Sequence, residues 1–142
     1  MSLLNSLSDE VASIVETVSP AVVHVRAIGP RRASASGSGV LVSGEGDVLT
    51  NSHVVRGAAG VEAELADGRT LIADVAGDDP ATDLALLRLS SPAPLQSVGL
   101  GDSNVLRVGD FAIAVGSPLG LDRKSTRLNS SHRTVSRMPS SA

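Results

Sequence analysis

Imidazole is the side chain whose charge changes nearest neutral pH, so the three histidines, His24, His53 and His132, are where proton-transfer chemistry could reside. His53 lies in Leu49-Thr50-Asn51-Ser52-His53-Val54-Val55, at the end of an apolar run where the chain turns polar. Asp83 stands in Asp79-Pro80-Ala81-Thr82-Asp83-Leu84-Ala85-Leu86-Leu87, at the start of another apolar run. An imidazole can take the proton of a hydroxyl and make it a useful nucleophile. A carboxylate beside the ring can fix its tautomer and stabilise the imidazolium. Taken singly, each residue is a weak signal. A histidine next to a strand end is more often structural, and an aspartate before a strand is usually a turn residue. The chain contains no cysteine, which removes thiol nucleophiles, disulfides and thiolate metal sites. No metal, nucleotide or other cofactor motif is visible, so no cofactor and no metal are expected.

The elements that would hold these residues follow from periodicity. Leu7, Val11, Ile14, Val15 and Val18 recur at helical spacing. With Ser8 as N-cap and Asp9 and Glu10 in the first turn, the spacing predicts a short amphipathic helix packing on the domain, ended by Pro20. Beyond Pro20 the period shortens to two or to brief apolar runs. The predicted strands are Val22–Ile28, Gly39–Ser43, Asp47–Thr50, Val61–Leu65, Thr70–Val75, Leu84–Leu89 and Phe111–Val115. Gly29-Pro30, Gly44-Glu45-Gly46, Asp67-Gly68, Asp78-Asp79-Pro80 and Ser91-Pro92 supply the turns, with Asp67-Gly68 a hairpin signal. Arg31–Ser36 is small and polar and reads as a mobile loop. Short strands without intervening helices indicate an antiparallel barrel or sandwich. Its core would rest on Val, Leu and Ala, since Phe111 is the single aromatic residue.

Several linked motifs, in order, carry a resemblance. Gly37-Ser38-Gly39-Val40, the His53 run, Leu65-Ala66-Asp67-Gly68-Arg69 and the Asp83 run are followed by three more. These are Leu100-Gly101-Asp102-Ser103, Arg107-Val108-Gly109-Asp110 and Ala114-Val115-Gly116-Ser117-Pro118-Leu119-Gly120. From about Ser19 to Gly120 the chain resembles the HtrA/Deg type of chymotrypsin-like, trypsin-like serine proteases. The resemblance implies an all-β fold: the N-terminal antiparallel barrel of a two-barrel protease, preceded by a short helix, with the second barrel absent. It implies that His53 is the general base and then acid, and that Asp83 orients it, in the chain order His, Asp, Ser.

The third member is not in the chain. The family's serine stands in a Gly-Asn-Ser-Gly-Gly-like turn on the second barrel, and no such run occurs in the 142 residues. Ser117 aligns with a position that is not catalytic in the family. Ser43 and Ser52 have no oxyanion setting, His24 reads as a strand decoration, and Asp102 and Asp110 read as loop and turn residues.

Charge divides the chain unequally. Residues 1–121 hold 14 acidic and 7 basic residues, while residues 122–142 hold one acid and five bases, including Lys124, the only lysine. A basic tail after an acidic body usually suggests nucleic-acid or membrane contact. Here the run Asp122 to His132 matches the translation of a common short-read sequencing adapter. Ser136 to Ser141 matches its later part, with Arg133-Thr134-Val135 covering the barcode between. The expected organisation is therefore a helix over 1–18, a first barrel over 19–121 and a non-native adapter read-through over 122–142. On that reading neither nucleic acid nor membrane is a partner, and His132 is no candidate.

The function implied is serine endopeptidase action on unfolded or damaged polypeptides, a protein quality-control role, in a full-length parent that is commonly trimeric in the family. The 142-residue chain is expected to be inactive. A non-catalytic, protease-like binding or scaffold module is the alternative. The start Met1-Ser2-Leu3-Leu4-Asn5 lacks a basic n-region and a long apolar stretch, so a cytoplasmic location is expected, with extracytoplasmic location the family's alternative.

Overall fold

The computed structural model describes residues 2–29 and 34–117. Helix α1 spans Leu3–Val18, with Ser2 rather than Ser8 as N-cap; the Ser2 side chain accepts from the Asn5 N–H. No residue of α1 is buried, and Leu3, Leu4, Leu7 and Ile14 are exposed. The expectation that this helix packs its apolar face on the domain is therefore corrected. A short 3₁₀ turn, Ser19–Ala21, places Pro20 just past the helix end and leads into the first strand.

Six strands follow: β1 Val22–Ile28, β2 Ser34–Leu41, β3 Asp47–Thr50, β4 Gly60–Glu64, β5 Thr70–Asp79 and β6 Leu84–Leu89. They close into an antiparallel barrel in the order β1-β2-β3-β6-β5-β4. Closure matters energetically because it gives every strand a neighbour on both sides, although Ser34–Gly39 of β2 and Asp74–Asp79 of β5 pair on one side only. Alternation along each strand sends Val23, Val25 and Ala27, Leu41, Val48, Val61 and Ala63, Ala73, and Ala85, Leu87 and Leu89 into the core. The side chains are small because six strands leave little interior. At Gly39 an added Cβ would lie 2.7 Å from Val48 Cγ1 and 3.0 Å from Val25 Cγ2, so glycine is required there.

Strand boundaries depart from the periodicity in instructive places. β2 begins at Ser34 and ends at Leu41, not at Gly39 and Ser43. The small residues Ala35 to Ser38 show no apolar period, yet they pair in register with β1 through the backbone, Arg26 opposite Ser36 and His24 opposite Ser38. Residues 34–36 are thus strand and not loop, and 31–33 lie outside the described residues. β5 continues past Val75 to Asp79 across a bulge between Val75 and Gly77, because β6 offers it hydrogen-bonding partners up to Leu84. The β4–β5 hairpin turns at Asp67-Gly68 as expected, with Gly68 at φ +90°.

Phe111–Val115 forms no strand. None of the six strands takes it as a ladder partner, so its strand-like pattern stays unpaired. After β6 the chain binds back along the barrel, the Leu95 N–H to the Gly44 carbonyl and the Val98 N–H to the Leu41 carbonyl, both 2.9 Å. It then runs as an arm over residues 99–117, broken by a 3₁₀ turn at Ser103–Val105 and a tight turn at Arg107–Asp110. The expected read-through over 122–142, His132 included, lies outside the described residues.

Candidate active site

The site is built where β3 and β6 meet. β3 pairs with β6, Thr50 opposite Ala85, so the chain leaving β3 and the chain entering β6 emerge side by side. Thr50 is buried and its hydroxyl donates to the Ser38 carbonyl at 2.9 Å, fixing the end of β3. One residue later comes the single helical turn α2, Ser52–Val55, anchored by buried Ser52, Val54 and Val55. Val54 packs so closely on β2 that a Cβ at Gly37 would lie 2.7 Å from its Cγ2. His53 is the residue of this turn that points away from the core, with 66% of its side chain exposed.

Asp83 is presented by the turn between β5 and β6. Asp79 closes that turn, one carboxylate oxygen accepting from the Ala81 N–H at 3.1 Å and the other from the Thr82 hydroxyl at 2.8 Å. These bonds hold the Asp79 carboxyl below the usual carboxylate range, the Thr82 hydroxyl contributing most. Asp83 itself has φ +56°, the only non-glycine residue in the left-handed region among those described. Aspartate tolerates that region better than most side chains, which suits it to this corner.

The two elements meet through hydrogen bonds across 30 residues of sequence. His53 Nδ1 lies 2.7 Å from Asp83 Oδ2, and the His53 backbone N–H donates to Oδ1 at 2.9 Å. The Ser52 N–H donates to the Asp83 carbonyl at 3.2 Å. Asp83 is held below the usual carboxylate range, first by the His53 backbone N–H, then by the His53 side chain, with Arg56 adding a smaller electrostatic pull. A carboxylate accepts, so Nδ1 carries the proton, and the neutral ring keeps Nε2 as its free basic nitrogen. Asp83 is open on one side, with 45% of its side chain exposed, and is thus wetter than the buried carboxylate that triad chemistry uses.

The structure brings His53 and Asp83 together and gives the other polar candidates different partners. Ser52 is fully buried and its hydroxyl accepts from Arg56, while the Ser43 hydroxyl donates to Asp47. Asp102 accepts the Asn104 N–H at the 3₁₀ turn, and Asp110 accepts the Arg107 N–H in a tight turn. His24 does more than decorate β1. Its Nδ1 donates to the Ser117 carbonyl at 2.7 Å while the Ser117 N–H donates to Ser38 Oγ at 2.7 Å, so the arm's end is pinned across β1 and β2. Sequence reasoning missed Asn51, whose Nδ2 reaches Asp83. Its place two residues before His53, in a polar break between apolar runs, was the available signal.

Residues 37–140 match the family model described as "Trypsin-like peptidase domain". The chain belongs to the trypsin-like peptidases. Within that family it is similar to HtrA/Deg proteins. Over 93 residues it is 44% identical to "Periplasmic serine endoprotease DegP" of Salmonella typhimurium, covering 65% of this chain and 20% of that protein. Over 91 residues it is 45% identical to "Periplasmic pH-dependent serine endoprotease DegQ" of Escherichia coli, covering 63% and 20%. "Serine protease HTRA1B" of Danio rerio is 39% identical over 121 residues, covering 82% of this chain and 25% of that one. The solved HtrA-type protease AlgW, in complex with a tripeptide, superposes with a TM-score of 0.65 at 40% identity over 70% of this chain and 32% of that one. The trypsin-like peptidase chain thus spans about a fifth to a quarter of the length of these curated relatives. Its six-stranded closed barrel with a leading helix agrees with the all-β, chymotrypsin-like expectation. The periplasmic names give the expected cytoplasmic location no support. Among the described residues no helix is long and apolar enough to cross a membrane.

Proposed function

We propose that this chain is the barrel that carries the base and its orienting acid in a serine endopeptidase, and that the whole parent protein cuts unfolded or damaged polypeptides. The observation that carries the reading is the 2.7 Å contact between His53 Nδ1 and Asp83 Oδ2 on converging strand ends. In the proposed reaction His53 Nε2 takes the proton of a serine hydroxyl as that oxygen attacks a peptide carbonyl. The imidazolium then returns the proton to the leaving amine. Asp83 holds the Nδ1 proton in place and compensates the charge that develops on the ring. The serine and the oxyanion donors would come from a second barrel, whose packing over the half-open Asp83 would supply the burial that this pair lacks. Without them the 142-residue chain performs no peptide hydrolysis. The relatives' names favour an extracytoplasmic place of work over the cytoplasmic one. Assembly of the parent into a homo-oligomer, a trimer by family resemblance, belongs to the same proposal.

Sequencing the source locus past codon 121 tests the reading. A frame that continues into a second barrel with a Gly-Asn-Ser-Gly-Gly-like turn supports both the protease and the adapter read-through. The joined protein is then expected to cleave a denatured protein, with His53→Ala lowering kcat at least a thousandfold, roughly the scale set by removing a triad member. A locus that encodes Lys124 to Ala142 and stops would leave a nucleophile-free barrel, and the scaffold reading would replace the enzyme. Cleavage by the pure 142-residue chain, abolished by His53→Ala, would overturn its predicted inactivity.

A further inference from the structure

Asn51 is the residue immediately before α2, where an asparagine normally turns its side-chain oxygen back to cap the helix. Here it makes no such cap bond. Its Nδ2 reaches across to Asp83 instead, 3.1 Å from the backbone carbonyl and 3.4 Å from Oδ2. The carbonyl of Asp83 accepts a second donor from the Ser52 N–H, and the carboxylate accepts both His53 groups. Three consecutive residues, Asn51, Ser52 and His53, therefore grip one residue on the opposite loop. Within that grip Asn51 alone touches both the main chain and the side chain of Asp83. The residue it grips is the one held at φ +56°, a conformation that costs aspartate less than most side chains but still needs its surroundings to hold it.

We infer that Asn51 is a positioning residue that locks Asp83 in its left-handed conformation and so aims the carboxylate at His53 Nδ1, acting purely as a hydrogen-bond donor. Both of its contacts end on oxygen acceptors, one neutral and one anionic, which an amide N–H₂ can serve together. A carboxylate at this position would oppose a negative group to both oxygens. An aliphatic side chain would leave the Asp83 carbonyl with the Ser52 N–H alone. The charged or titratable groups that face Asp83 are His53 and Arg56, both from α2 and its end. The inference rests on His53 and Asp83 being the proton-transfer pair, yet its geometry can be tested without any peptidase activity.

The experiment is an NMR titration of the intact 142-residue chain, following the Asp83 carboxyl carbon, the His53 Nδ1 proton and the Asn51 side-chain amide. In the wild type the Asn51 amide signals are expected to move with the Asp83 titration, a measurement that needs no variant to fold. In Asn51→Ala the carboxylate is expected to lose its aim at His53, so that the Asp83 midpoint rises and the His53 Nδ1 proton is lost to exchange. Asn51→Asp, of nearly the same shape, is expected to raise the midpoint further. Wild-type Asn51 signals that ignore Asp83, or an Asn51→Ala chain with its Asp83 midpoint and Nδ1 proton unchanged, would overturn the inference. A merely structural asparagine would lower stability and leave the midpoint in place. If a serine-bearing parent shows no peptidase activity, the functional reading fails while this titration stands. If the parent cleaves and the titration is flat, only the role of Asn51 falls.

Discussion

The barrel and the arm that follows it use similar residues to opposite ends. In the barrel Val23, Val25, Val48 and Leu87 are wholly buried. In the arm Leu100 is 75% and Phe111 89% exposed, and Val105, Leu106 and Val108 are exposed with them. Apolar content alone therefore does not decide burial; a side chain is buried only where the chain is held against a surface that it can cover. Six strands that pair in a ring satisfy their own backbone and enclose one face each. The arm pairs with none of these strands and is held at its two ends, by a backbone bond at Val98 and by the His24 and Ser38 side chains at Ser117.

The sharpest way to break the comparison is to truncate one residue from each region. Leu87→Ala opens a cavity in the barrel and is expected to cost about 2–5 kcal/mol in urea unfolding. Phe111→Ala removes a larger side chain from the arm and is expected to change stability by no more than about 0.5 kcal/mol. Equal losses would mean that the arm packs as part of the core. A smaller effect tests the seam between barrel and site. In Gly37→Val the new side chain would collide with Val54, whose Cγ2 lies 2.7 Å from where the Cβ must go. The expected cost is about 1–3 kcal/mol of stability. Because Val54 adjoins His53, the His53 ring signals should shift as well, and unmoved signals would show that α2 is independent of β2.

The arm's exposed side chains lead to an expectation about association rather than folding. Exposure of several large apolar side chains along one segment favours self-association. Sedimentation of the wild type is expected to show concentration-dependent aggregation, and Val108→Asp with Phe111→Asp to reduce it without altering the unfolding midpoint appreciably. A monodisperse wild-type monomer would remove the distinction between the two regions at the level of solubility.

Which parts of this were legible in the sequence follows the same physics. β1, β3 and β6 could be read to the residue because each has a run of Val, Leu or Ile bounded by turn residues. β2 was misplaced because Ala35-Ser36-Gly37-Ser38 carries no hydrophobic period; its pairing is a backbone property that only β1 reveals. The Phe111–Val115 strand failed for the converse reason, a strand-like pattern without a partner. Helix α1 was legible as a helix, but its lack of burial was not, since an amphipathic pattern states what a face could cover and not whether anything lies beneath it. His53 and Asp83 stand out through linked motifs, and the structure brings their side chains into contact. The left-handed backbone of Asp83 and the donor role of Asn51 depend on two loops meeting, which residue spacing does not encode.

The smallest expected effect concerns the electrostatics of the contact between those loops. Asp83 titrates below its ordinary value in the folded chain because the His53 backbone and side chain favour the carboxylate. The unfolded chain lacks these donors, and there the group titrates near the ordinary value of about 3.9. Folding thus releases a proton in that range, and stability should fall as pH drops from the unfolded value through the lower folded one. Above that window the contribution is fully present. Since the site is half open to water, the effect is screened and small. Asp83→Asn cannot ionise, so its urea midpoint is expected to fall less steeply than that of the wild type below pH 4 or so, with the curves parallel at higher pH. Identical acid limbs would mean that the His53 contact does not survive in solution, and the link between barrel and site would then rest on α2 packing alone.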